Sequence, residues 1–364
     1  MLYGLDAIVL TKTDIQSLDT YYKSLLRGIL SLREGVASEA IFLLSGLVPV
    51  EGEIHLRMLT TYGAITRLHE GAPLRNVAMR QMSLPHQKRG SWFQYIKEKA
   101  SMYGIAETLL GSLINPWKPE EWKRFVRETV YAFWFDRLLL GALQKSTLSH
   151  MDLSLMRRGI PHHIWPTRGC SSRQRVAASF RAKMLSGSYI LQANRARFNQ
   201  FEVKTTCPLC SAPKENLVHF VLICPALDKA RSHHMSRIWK YLEEMSIPIP
   251  SSAEEKCTLL MNCGTSYKCR LCKGAGYKPT SRRSRTKSNS STDGTEPRDK
   301  TSISTTNTPR YTDRNSSRLS RSSSSVCVCR KLNNIMNNMC LDLHNMHQNV
   351  LASDKTAPEK KRRK

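Results

Sequence analysis

The chain has 364 residues, with 56 Lys and Arg against 29 Asp and Glu and a formal net charge of +27. That length allows two or three domains, and the cationic excess favours polyanionic partners such as nucleic acid or an anionic surface, while saying nothing about fold. A membrane span is not expected, because no apolar run approaches the ~18 residues one needs, and the start "MLYGLDAIVLTKTD" lacks a basic n-region and a cleavage site, so no signal peptide is read.

The first 150 residues read as helices. In "TKTDIQSLDTYYKSLLRGILSL" the residues Ile15, Leu18, Tyr22, Leu25, Leu26, Ile29 and Leu30 recur at helical spacing, and Thr13 with Gln16 fits a capping box. "SEAIFLLSGLV" predicts a short apolar helix, and Pro49 opens a third that runs to about His69. Another helix surrounds Trp92, Phe93, Tyr95 and Ile96. Pro119 suits the first position of a long helix in which Trp122, Phe125, Val126, Val130 and Phe133 share a face, and that face is expected in a core.

From Leu153 to Phe201 there is no acid. Arg173, Arg175, Arg181, Lys183, Arg195 and Arg197 are candidate phosphate contacts in this stretch, and Trp165 and Tyr189 are candidate base stackers if exposed. A solvated basic face on a core helix is the plain alternative. The segment "SSRQRVAASFRAKMLSG" predicts a helix starting at Ser171 or Ser172. Residues 273–325 are mostly Ser, Thr, Arg and Lys, a composition that predicts disorder. Helical spacing returns with Leu332, Ile335, Met339, Leu343 and Met346, and the chain ends in the basic run "EKKRRK", an import signal or a frayed tail.

The eleven cysteines are odd in number and bunch in the second half, so metal binding or buried free thiols are expected in place of a disulfide framework. Cys207, Cys210, His219 and Cys224 follow the pattern Cys-x2-Cys-x8-His-x4-Cys. A Cys-x-x-Cys turn presents two thiolates to one point, and "ENLVHFVLIC" returns His219 near a helix start and Cys224 just past its end, before Pro225. Four protein ligands close the site, which predicts a structural Zn2+ that supplies folding energy to a unit too small to fold alone. Cys263, Cys269 and Cys272 contain a second Cys-x-x-Cys with incomplete spacing, and His344 and His347 lie far downstream. The pairs His162–His163 and His233–His234 read as surface or local hydrogen-bonding residues, because neighbouring side chains in regular structure diverge.

No Asp-Asp pair occurs, and adjacent acids appear only as Glu120–Glu121, Glu243–Glu244 and Glu254–Glu255. The carboxylate clusters of two-metal polymerases and nucleases are therefore not expected, and no catalytic residue is assigned.

Three stretches carry a resemblance. "LYGLDAIVLTKTDIQSLDTYYKSLLRGILSL" resembles the segment after the palm in reverse transcriptases of non-LTR retrotransposons, where the thumb helix begins. "SWFQYIKEKASMYGI" and "PWKPEEWKRFVRETVYAFW" are similar to the helical region beyond it, and "RAKMLSGSYILQANRARFNQFEVKTTCPLCSAPKENLVHFVLICPAL" to the basic stretch and zinc knuckle near the C-terminus of such a reading frame. The resemblance implies knuckle ligands at Cys207, Cys210, His219 and Cys224, palm aspartates lying upstream of Met1, and RNA or DNA as partner. It also implies an intracellular place, nuclear or cytoplasmic, with no membrane and no small-molecule substrate. The expected fold is mainly α: thumb-like helices over 1–70, a helical region over 71–150 and a basic stretch with the CCHC knuckle over 151–250. After these come a helix with the second Cys-x-x-Cys over 251–272, the disordered linker over 273–325, a helix over 326–352 and a basic tail over 353–364. The expected function is that of a non-catalytic, nucleic-acid-binding fragment. A zinc-stabilised protein-interaction module and an inactive transposon remnant are the alternatives.

Overall fold

The computed structural model describes residues 3–85, 91–165, 170–197, 203–264 and 328–356. Every regular element among these residues is helical, as the composition and periodicity predict. The Ser/Arg-rich segment 273–325, Cys269, Cys272 and the run 357–364 lie outside the described residues.

Helix α1 spans Lys12–Leu30 and starts one residue before the predicted cap, because Thr11 and Asp14 form the capping box: the Thr11 hydroxyl accepts from Asp14 N–H at 3.2 Å. Next come α2 (Ser38–Ser45) and α3 (Val50–Thr66), with Pro49 as the N-cap of α3. Helices α4 (Pro73–Ser83), α5 (Trp92–Met102) and α6 (Ala106–Ile114) form a short-looped cluster on α3. Helix α7 (Pro119–Leu143) begins with Pro119 at its first turn, where the missing N–H is not needed.

Two buried clusters share α7. Trp122, Val126 and Val130 pack with Ile54, Met58, Leu59 and Tyr62 of α3 and with Phe93, Ile96, Leu109 and Leu113. About two and three turns further, Leu138 and Ala142 enter the second cluster with Ile41, Phe42 and Leu44 of α2. Glycines let α3 and α7 meet closely: the Trp122 ring lies over Gly63, where a Cβ would collide with it, and a Cβ on Gly52 would sit 2.7 Å from Trp134 Cδ1. The Trp122 indole N–H donates to Leu59 O at 2.8 Å, so its polar atom is satisfied in the core.

The second cluster is completed by α8 (Ser172–Leu185), α10 (Asp228–Glu244), α11 (Ala253–Asn262) and α12 (Val328–Thr356), while the short α9 (Gln192–Arg197) buries no residue. Ser171 caps α8 with Gln174, where the sequence predicts the start. Helix α12 packs on α8 and α10 although residues 263–327 separate it from α11 in the chain. Its Leu332, Met336, Met339 and Leu343 are fully buried. Each contributes about 1.5–3 kcal/mol by burial, whereas the length-dependent part of closing such a loop costs roughly 3–4 kcal/mol.

Candidate metal centre

The knuckle is made by three local devices. Ser211 takes a left-handed φ of 60°, which tightens the turn after the two cysteines, and Cys207 N–H donates to Ala212 O at 2.8 Å while Ser211 N–H returns to Cys207 O at 2.9 Å. Thr205 O accepts from Glu215 N–H at 2.8 Å, closing the loop at its base. The return arm is a π-helical turn, His219–Ile223, in which Cys224 N–H donates to His219 O at 2.8 Å. In an α-helix of 3.6 residues per turn, positions five apart point about 140° away from each other. The wider i→i+5 turn brings His219 and Cys224 back toward one side, and turns of this kind concentrate at functional sites. Asn216 Oδ1 accepts from His219 N–H at 2.8 Å and fixes where the turn begins.

The four ligand atoms converge, all within 4.8 Å of one another. Cys207 Sγ lies 4.0 Å from Cys224 Sγ, and Cys210 Sγ 3.3 Å from His219 Nε2. A tetrahedron with bonds of about 2.0–2.3 Å has edges of about 3.6–3.8 Å. These side chains therefore fit one divalent ion, and the soft donor set suits zinc. This is the only such cluster of metal-ligating side chains among the described residues.

Electrostatics favour an ion there. Burial pushes the Cys224 thiol up to about 12, with contributions from its sulfur neighbours Cys210 and Cys207. It raises Cys207 in the same way and lowers the His219 imidazole. Crowded, buried sulfurs resist ionisation together unless a cation compensates them, and a bound divalent ion inverts that preference.

The sequence predicts a small autonomous knuckle, and the structure shows a more embedded one. Leu217, Val218, Phe220, Val221 and Leu227 join the same cluster as α10, α11 and α12. Pro225 does not end the helical path; a one-turn helix at Pro225–Leu227 leads straight into α10. From α10, Arg231 reaches back and donates to Cys224 O at 2.9 Å.

Glu215, between the second cysteine and the histidine, escapes sequence reasoning, although a lone acid beside the ligands could have signalled it. It is 1% exposed. Its Oε2 accepts from Gln192 N–H at 2.9 Å, its carbonyl accepts from Ala193 N–H at 3.1 Å, and its Oε1 pairs with His347 Nε2 at 3.2 Å. The first pair of bonds seats the start of α9 on the knuckle, and Arg195 and Arg197 are the exposed residues of that helix.

The remaining candidates divide. Arg175 is exposed and holds Cys170 O at 2.9 Å. Arg173 is exposed but paired with Asp342 at 3.2 Å. Lys183 is half-buried over the Phe180 ring, 4.7 Å from its centroid. Arg181 cannot contact phosphate: it is fully buried and donates to Met261 O, Cys263 O, Leu260 O and the side chains of Asn333 and Asn337. Tyr189 is buried, with its hydroxyl 3.0 Å from His344 Nδ1, so no base can stack on it. Trp165 is half-buried and spends its indole N–H on Leu44 O at 2.8 Å.

The second Cys-x-x-Cys, Cys269 and Cys272, lies outside the described residues. Cys263 Sγ lies under Arg181, His344 stacks on Phe180 with ring centroids 3.8 Å apart, and His347 is engaged by Glu215. The pair His162–His163 lies in a loop with ring centroids 4.1 Å apart, so these rings do not diverge. Neither is a surface residue, His162 being buried and His163 half-buried, but His162 Nδ1 accepts locally from Ile164 N–H at 3.3 Å, as the hydrogen-bonding reading expects. The surface reading also fails for His234, which is buried and pairs with Asp342 at 2.8 Å, and holds for the exposed His233. No helix among the described residues is long and apolar enough to cross a membrane. Compared with protein-family models, with curated proteins and with solved structures, the chain matches none.

Proposed function

We propose that this chain is a non-catalytic, nucleic-acid-binding region of the kind found near the C-terminus of non-LTR retrotransposon reverse transcriptases. A structural Zn2+ at Cys207, Cys210, His219 and Cys224 holds the knuckle, and the basic surface beside it binds element RNA or target DNA. One observation carries the reading: Glu215 ties α9, with its exposed Arg195 and Arg197, to the loop that holds the cysteines. Lys204 and Lys214, on either side of the base of that loop, are exposed as well. Cation placement is thereby fixed by the metal centre, and Arg175 extends it along the start of α8. Contacts of this kind track phosphates, giving affinity more than sequence choice. A nucleic-acid partner places the work in the nucleus or cytoplasm, where thiols stay reduced for metal binding.

The test is a salt titration of RNA and single-stranded DNA binding by the zinc-loaded chain. Affinity falls with added salt, and Arg195→Glu with Arg197→Glu flattens the slope by about 0.7 for each single-strand phosphate that is no longer neutralised. Binding that ignores both salt and this charge reversal refutes the reading in favour of a protein-docking role.

A further inference from the structure

The helix that follows the long Ser/Arg-rich segment touches both arms of the knuckle through one residue. His347 is 4% exposed. Its Nε2 pairs with Glu215 Oε1 at 3.2 Å on the loop arm, and its ring stands edge-on to Phe220, centroids 5.4 Å apart at 84°, on the return arm next to ligand His219. Glu215 in turn closes the loop through Thr205 O and lies 3.9 Å from Cys207 Sγ. Removing His347 would leave a fully buried carboxylate with the Gln192 amide as its remaining close donor, an arrangement the interior does not tolerate cheaply.

We infer that α12 is the outer wall of the metal centre and that Glu215 is the positioning residue coupling the two. An ion in the knuckle favours the docked helix, and the docked helix raises affinity for the ion. The inference rests on the metal reading above and goes beyond it, because nothing in the ligand spacing requires a helix more than a hundred residues away. Coupling of this kind is reciprocal, so it is measurable from either end. It also has a direction along the helix. The N-terminal half of α12 is pinned separately, through Asn333 and Asn337 to Arg181, while the half from Leu343 onward meets the knuckle. The chain thus carries a device by which metal supply sets whether its C-terminal helix is held.

Hydrogen exchange on the zinc-loaded full chain, before and after chelation, tests this. Chelation is expected to speed exchange in the knuckle and in residues 343–352 by tenfold or more, less in residues 329–338, and not at all in α3 to α7. From the other end, competition with a metallochromic chelator reads zinc affinity. His347→Ala lowers it about ten- to hundredfold, the usual range for groups that orient metal ligands. His347→Gln, which keeps an N–H at similar reach, restores most of it, an outcome that loss of packing alone would not give. A chain that binds one ion but shows unchanged exchange in residues 343–352 after chelation overturns the coupling and leaves the metal centre standing. A chain that binds no ion overturns both. Uniform acceleration over the whole chain overturns the coupling too, since the ion would then support the fold at large.

Discussion

Substituting Arg181 separates a structural cation from a nucleic-acid contact. Its Nε and both terminal nitrogens donate to Met261 O at 2.9 Å, Asn333 Oδ1 at 2.8 Å and Cys263 O at 2.6 Å, with longer bonds to Leu260 O and Asn337 Oδ1. No carboxylate takes part in these bonds. The guanidinium is held by the carbonyl end of α11, where a positive charge suits the helix dipole, and by two amides of α12. Arg181→Met keeps much of the volume and removes every donor. Burying the cation was itself costly, and that cost is relieved. Each acceptor left without a partner in the interior nevertheless costs about 1–3 kcal/mol, and Cys263 O and Met261 O have no solvent route at a fully buried site. With those two acceptors stranded, the loss is about 2–6 kcal/mol before the relieved burial of the cation is subtracted. Urea unfolding of the zinc-loaded chain measures it as a fall in midpoint at constant slope, while RNA binding of the folded fraction stays unchanged. An Arg181→Met protein of wild-type stability with weakened RNA binding would refute this account and return Arg181 to the binding surface.

Tyr189→Phe removes the bond to His344 Nδ1 and should cost about 1 kcal/mol by the same unfolding assay, again without changing RNA affinity. Gly63→Ala forces a methyl against the Trp122 ring and should cost about 1–3 kcal/mol by overpacking, where Ala in an open helix would stabilise; a gain in melting temperature would contradict the close α3–α7 approach. Burial holds His55 neutral, pushed down to about 3, with Lys99 adding to the effect. The nearest acid, Glu51 at 3.9 Å, does not outweigh this. Because its folded value lies below the unfolded 6.5, its contribution to stability is complete above pH 6.5. It is lost as pH falls toward 3, by about 1.4 kcal/mol per unit. His55→Leu should therefore flatten the stability profile between pH 6.5 and 3 by up to one proton, read from urea midpoints across that range.

What the sequence made legible is what a period or a spacing can encode. In the predicted α7 stripe, Trp122, Val126 and Val130 are buried and Phe125 and Phe133 are partly buried against them, and the four candidate ligand side chains meet as their spacing predicts. Helix α10 was opaque for a physical reason: its buried positions Arg231, His234, Ile238 and Leu242 are half polar, so apolar periodicity never appears. Those two polar residues are buried because Cys224 O and Asp342 receive them, partners that no local pattern announces. Glu215 and His347 were hidden in the same way, being far apart in the chain and meaningful only as a pair.

The acid-free stretch shows how charge misleads when it is counted along the chain instead of around a helix. On α8, Arg173 and Arg175 face solvent, whereas Arg181 stands one turn from Ala177 and Leu185, both fully buried. Helical geometry puts residues four apart on one face, so the sequence already placed Arg181 with the core; only the assumption that a cation must be solvated opposed it. The same geometry gives the basic stretch two roles. Its buried member clamps α11 and α12 against α8, and its exposed members on α9 are tied through Glu215 to the knuckle loop. Under the proposed function, a surface for phosphates would need its cations held in place against mutual repulsion, and the knuckle loop at one end and a buried arginine at the other would do that holding.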